Sequence, residues 1–133
     1  MTTGSWDPQA ASVVSLEAGK LAGFAALATD SALTSINECL DEDDRQWLAL
    51  VMSSSDLNWQ EAVATLDVDE LLRLILFFTA VEMQVPGCKA GVNSPVIPLN
   101  KIRKKKGQRL DKNQLAWIKQ HSDNRFIPNG PLL

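Results

Sequence analysis

Apolar positions recur at helical spacing along the chain, and the polar positions between them fall where helices start and stop. Asp7-Pro8 opens a first helix, because Asp is a good N-cap and the fixed φ of Pro suits the first helical position. Val13, Val14, Leu16, Leu21, Phe24 and Leu27 follow, with Ala18, Ala22, Ala25, Ala26 and Ala28 between them. Apolar and small residues therefore cover most of the circumference, and the helix is expected to be largely buried. Gly19 and Gly23 lie on one face, four positions apart. Each costs about 1 kcal/mol of helix propensity relative to Ala, which close approach of a second helix backbone would offset. Asp30-Ser31 interrupts the pattern, and Leu33, Ile36 and Leu40 predict a short second helix at i, i+3, i+7. The acids 41–44 lead into a third helix carrying Trp47, Leu48, Leu50 and Val51, stopped by the serines 53–55.

Three polar pairs have the three-residue spacing of a capping box: Asn58 with Glu61, Asp67 with Glu70, and Asp111 with Gln114. The first precedes an apolar stripe of Trp59, Ala62, Val63 and Leu66. The second precedes the longest predicted helix, about residues 68–85, ended by Pro86-Gly87. The third precedes a last helix with Leu115, Trp117 and Ile118. Residues 87–98 read as a loop, and a short helix from about Pro98 to Lys106 is stopped by Gly107. Two prolines within Val92–Leu99 argue against a central strand there. The tail 123–133 has turn chemistry, yet its Phe126, Ile127, Leu132 and Leu133 predict docking, since a solvated tail gains nothing from large apolar groups. The expected fold is all-α: a compact single-domain helical bundle of about six to seven helices, with an acidic body (1–86) and a basic loop–helix–helix arm (87–133) packed on it.

Composition narrows this further. The chain has 133 residues, 45 % hydrophobic and 22 % charged, which excludes a wholly disordered chain, a collagen-like repeat and a disulfide-stapled miniprotein. The longest uncharged, strongly apolar run is Leu74–Val81, far short of the roughly 20 residues a membrane span needs. The first residues lack a basic segment followed by an apolar one, so no secretory signal is expected. Cys39 and Cys88 are too few and too far apart for a disulfide framework, and a cytoplasmic protein with free thiols is expected.

Charge changes the picture most. The net charge is −3, but residues 1–86 hold 14 acids and three bases, whereas residues 87–133 hold ten bases and two acids. The halves thus carry −11 and +8. Either they neutralise each other within one fold, or the basic part meets an anionic partner.

The basic candidates are Lys101, Arg103, Lys104, Lys105, Lys106 and Arg109, with Lys112 beyond them. At 100° per residue Lys101, Lys104 and Lys105 share one helix face, while Leu99 and Ile102 point toward a core. Such a cluster can neutralise phosphates without reading sequence. The structural alternative is that bases in a last turn complement the helix dipole. The acidic candidates are Glu38, Asp41, Glu42, Asp43 and Asp44. They lack the alternating acids and glycine of a Ca²⁺ loop, and suit a helix start, with Asp41 placed to pair with Arg45 at i, i+4. An acidic patch facing a basic partner is their more credible functional use.

Cys88, His121 and Asp123 supply the residue types of a nucleophile, a base and an orienting acid, although nothing in their spacing brings them together. Zinc would need Cys39, Cys88 and His121 to converge without the local ligand pairs typical of zinc sites. The run 87–91 lacks the spacing and the Lys-Ser/Thr ending of a phosphate-binding loop. Trp47, Trp59 and Trp117 are expected in the core, and Trp6 as a staple on the first helix. Arg73 is expected to pair with Asp69 or Glu70 on a helix surface, or to be a buried ion-pair member if its helix is central. No cofactor and no metal site are implied. The leading expectation is a non-catalytic protein-interaction or regulatory module with a protein partner, and a homodimer is compatible with the charge split. The alternative is a nucleic-acid-binding protein using the basic helix 98–112. A second alternative is an enzyme built around Cys88 and His121.

Overall fold

Seven α-helices and two short 3-10 turns make up the regular structure of residues 16–55 and 57–130, the residues described by a computed structural model of the chain; no strand occurs among them. In chain order they are α1 (Ala18–Leu27), α2 (Asp30–Leu33), a 3-10 turn (Ile36–Cys39), α3 (Glu42–Met52), α4 (Trp59–Ala62), α5 (Val68–Gln84), a 3-10 turn (Gly91–Asn93), α6 (Val96–Lys105) and α7 (Lys112–Gln120). The accessible surface is 7645 Å², near the roughly 7,000 Å² expected for a compact chain of this mass. No described helix is long and apolar enough to cross a membrane. The Asp7-Pro8 helix start, Trp6, Leu132 and Leu133 lie outside the described residues.

The centre of the molecule is α5. Its start is set locally. The Asp67 carboxylate accepts from the Glu70 N–H at 2.8 Å, and the Glu70 side chain accepts from the Asp67 N–H at 3.1 Å, a complete capping box. Its end is equally local: Val85 is extended before Pro86, and Gly87 takes φ +83°. Leu71, Leu74, Ile75, Phe77, Phe78, Ala80 and Val81 are all buried. Burial on nearly every face past the first turn marks a helix surrounded by others, and α1, α2, the first 3-10 turn and α6 all pack on it. A chain of rings runs through this core. Phe24 of α1 stacks on Phe77 at 4.6 Å, Phe77 meets Phe78 edge-on at 5.2 Å, and Trp59 of α4 meets Phe78 edge-on at 5.5 Å.

Some predicted elements differ. Leu33, Ile36 and Leu40 are buried as the apolar spacing requires, but they do not form one helix. Thr29 caps α2, the Thr34 hydroxyl donates to Ser31 O, and Ser35 leaves the helical region at φ −145°. These local bonds compete with helix continuation. The groups freed by the break go to Gln84 at the end of α5: its Nε2 donates to Leu33 O at 2.7 Å, and its Oε1 accepts from Ile36 N at 2.8 Å. Gly19 and Gly23 do not mark a helix contact. Both are exposed, and a Cβ added at either would meet nothing within 4 Å. Trp59 is buried as expected, whereas Trp47 and Trp117 are only partly buried at the edge of the core.

The helix expected from Pro98 begins two residues earlier, at Val96. Pro98 falls in the first turn, where its missing N–H has no intrahelical partner to lose. The docking expected of the tail holds for its described apolar residues: Ile127 is buried and Phe126 packs against the core. The Asn100 amide of α6 donates to Pro128 O at 3.2 Å and to Asn129 Oδ1 at 3.3 Å, which holds the tail on α6.

Candidate functional site

One side of α6 faces the core and the other faces water. Val96, Leu99, Asn100 and Arg103 are buried, whereas Lys101, Lys104 and Lys105 are exposed, followed by exposed Lys106, Gln108 and Arg109. The helix ends in a Schellman motif. Gly107 at φ +89° donates to Lys104 O at 2.9 Å, and Gln108 N donates to Arg103 O at 3.1 Å. Only a residue tolerant of positive φ closes the helix this way, and Arg109 follows two residues later, exposed.

Arg103 does not belong to this surface. It lies four residues from Leu99, on the core side, and is only 4 % exposed. Its Nε donates to Val68 O in the first turn of α5 at 3.0 Å, while its Nη1 is buried without a partner. The candidate surface therefore consists of Lys101, Lys104, Lys105, Lys106 and Arg109. Among the described residues none of these five forms an ion pair. Lys104 alone has a polar partner, Asn129 Oδ1 at 3.0 Å.

The acids 38–44 are occupied elsewhere or left in water. Asp41 caps α3 by accepting from Asp44 N at 2.8 Å. Asp44 pairs with Lys20 of α1 at 2.9 Å, and that hydrogen bond is the main reason the Lys20 pKa lies above its ordinary value, against a smaller opposing effect of burial. The predicted Asp41–Arg45 pair is replaced by Glu42–Arg45 at 3.6 Å, because the Arg45 guanidinium turns back to Asn37, donating to its Oδ1 at 3.0 Å and its backbone O at 2.9 Å. Glu38 and Asp43 are exposed. Arg73 is also exposed, and it forms neither of the ion pairs its sequence position suggests.

Beside the basic surface lies a cleft of about 230 Å³, lined by Gln60, Val63, Ala64, Ile102, Lys105 and Lys106. One side comes from α4 and the turn after it and the other from α6, and these two helices pack together. Two lysine side chains line the cleft beside these aliphatic residues.

The Cys88, His121 and Asp123 constellation is not assembled as a nucleophile and base. Cys88 is 0 % exposed, and burial, reinforced by the Glu82 carboxylate, pushes its thiol up to about 11. A thiol so protonated is a poor nucleophile near neutral pH. His121 Nδ1 lies 2.8 Å from Trp117 O and its ring stacks on Trp117 at 4.1 Å, while Asp123 pairs with Lys89 at 3.5 Å. Among the described residues no hydrogen bond joins Cys88 to His121, and no three His, Cys, Asp or Glu side chains are grouped to hold a metal ion.

Glu82 and Asn124 escaped the sequence reading. Glu82 is buried, and its Oε2 accepts from the N–H groups of Ala90 and Gly91 at 3.1 and 3.2 Å. The Asn124 amide donates to both Glu82 oxygens at 3.2 and 3.0 Å and to Gly91 O at 2.9 Å. A single acid in the apolar half of α5 was the available signal. This network ties two loops to the central helix and leaves no free donor directed at a ligand. Comparison with family models, with curated proteins and with solved structures finds no match to this chain.

Proposed function

We propose that the protein is a non-catalytic binding module that engages an acidic protein partner through the outward face of α6 and the turn after it. One observation carries this reading: Lys101, Lys104, Lys105, Lys106 and Arg109 are exposed, and no acid of the described chain pairs with them. Lys101 with Lys104 and with Lys105 are like-charge neighbours at i, i+3 and i, i+4, an arrangement that destabilises a helix by roughly 0.2–0.5 kcal/mol per pair. An acidic surface laid over them adds an attraction that offsets this repulsion and raises the rate of encounter. Affinity capture from nuclease-treated extract at about 50 mM salt, below the range where screening dominates, tests it. A protein retained by the native chain and lost by Lys101→Glu/Lys104→Glu/Lys105→Glu/Arg109→Glu is the expected result; identical capture by both chains contradicts it.

The second reading is nucleic-acid binding, favoured by the same unpaired bases. Five phosphate contacts would reduce affinity on the order of several-hundred-fold between 50 and 200 mM salt. Mobility shift of random duplex and single-stranded DNA and RNA at those two salts separates the readings. Failure to shift at either salt leaves the protein partner.

A further inference from the structure

We infer that the cleft between the α4 turn and α6 is the anchor pocket of this surface, and that it takes a large aliphatic side chain from an acidic, amphipathic helix of the partner. The inference rests on the reading that the bases of α6 face an acidic protein, and it names the chemistry of that partner. Ala64 and Ile102 offer aliphatic groups to the cleft, with Val63 fully buried at its edge, and the polar groups lining it are those of Gln60, Lys105 and Lys106. The volume, about 230 Å³, exceeds the roughly 150 Å³ that accommodates benzene in an engineered apolar cavity. It falls below the roughly 300 Å³ at which pockets for whole small ligands begin, a size suited to a single large side chain.

The two lysines then decide the surroundings of that side chain. Ile102, Lys105 and Lys106 stand at i, i+3 and i+4, so α6 presents one apolar position with two ammonium groups a turn away. A partner helix with Leu at one position and Glu at i+3 and i+4 carries the complementary pattern, in the manner of an amphipathic helix laid in a groove. Single-stranded nucleic acid is a poorer match, because no aromatic side chain lines the cleft to stack on a base.

The test uses the whole protein and a fluorescein-labelled synthetic helical peptide with leucines on one face and glutamates flanking them, read by anisotropy. The native protein is expected to bind this peptide and to bind its Leu→Ala or Glu→Lys versions at least tenfold more weakly. Ala64 is exposed, so Ala64→Trp can fill the cleft and leave every charge in place; Ala64→Leu is the smaller filler should the indole disturb the fold. Either filler is expected to lower affinity tenfold or more, and to remove the difference between the Leu and Ala peptides. Lys105→Glu/Lys106→Glu is expected to abolish binding. If the fillers bind like the native chain while the lysine reversal loses binding, the cleft is not the anchor and the basic-surface reading stands. If the lysine reversal also binds like the native chain, both fail. Labelled oligonucleotides bound in place of the peptide overturn the inference in favour of nucleic acid.

Discussion

At the scale of single residues, three buried polar groups make different contributions. Glu82 is a carboxylate whose oxygens accept from Ala90, Gly91 and Asn124. Glu82→Ala strands the Ala90 and Gly91 N–H groups and leaves the Asn124 amide with Gly91 O alone, and a buried unsatisfied donor costs about 1–3 kcal/mol. Partial rehydration of the exposed loop brings the expected loss to about 3 kcal/mol, read as a lower urea midpoint. A loss under about 0.5 kcal/mol, the range of ordinary surface substitutions, contradicts the assignment. Arg103 is the opposite case: it is buried with one unpartnered nitrogen. Replacing such a charge by an apolar residue is often neutral or stabilising. Arg103→Met is therefore expected to change stability by no more than about 1 kcal/mol and to leave partner capture intact. Lost capture would return Arg103 to the binding surface.

The third group is Cys88, whose folded thiol is held above its ordinary value of 9.0, at about 11. With the folded value raised, the native state keeps a proton that the unfolded chain releases. Its contribution to stability is complete below pH 9 and is lost as pH rises from there toward 11. The native protein is expected to lose stability over that window more steeply than Cys88→Ala; parallel curves contradict it. At pH 8 a disulfide reagent should titrate one thiol quickly, exposed Cys39, and reach Cys88 only after unfolding.

At the scale of elements, what is local in sequence is also local in cause. Asp67 with Glu70 and Asp111 with Gln114 form complete capping boxes, and both can be read from a three-residue spacing. Asp67→Ala is expected to lower global stability by about 1 kcal/mol, because the helix it starts is the one the others pack on. Gly107→Ala forces a side chain into φ +89° at a cost of about 1–2 kcal/mol. Thermal unfolding checks both, and an unchanged midpoint for either variant contradicts the capping or C-terminal account. The break between α2 and the following 3-10 turn was not legible. Its backbone groups are satisfied by Gln84, which is remote along the chain, and spacing among Leu33, Ile36 and Leu40 shows only that those positions are buried. The glycines of α1 misled for a related reason. Four-residue spacing identifies a shared face, but only the packing around α5 determines that this face is turned to solvent.

At the scale of the whole molecule, the division of charge into an acidic and a basic half was legible from composition. Whether the halves neutralise one another was not, since ion pairs depend on distances that composition does not contain. Asp44 goes to Lys20 and Asp123 to Lys89, which leaves the outward bases of α6 facing water. The helical face itself was readable at Lys101, Lys104 and Lys105. The inward turn of Arg103 also followed from its four-residue distance to Leu99, but a run of like charges obscured it. The cleft beside that face could not be read at all, because Val63 and Ile102 meet only in the folded chain.

Coverage of this face by a partner is read from lysine acetylation rates in native extract compared with those of the isolated protein. Exposed Lys89, Lys112 and Lys119 serve as references within the same molecule. With a protein partner bound, Lys101, Lys104, Lys105 and Lys106 are expected to become slower to label in nuclease-treated extract while the reference lysines do not. Equal rates at those four lysines in both settings, or protection that nuclease abolishes, would contradict it.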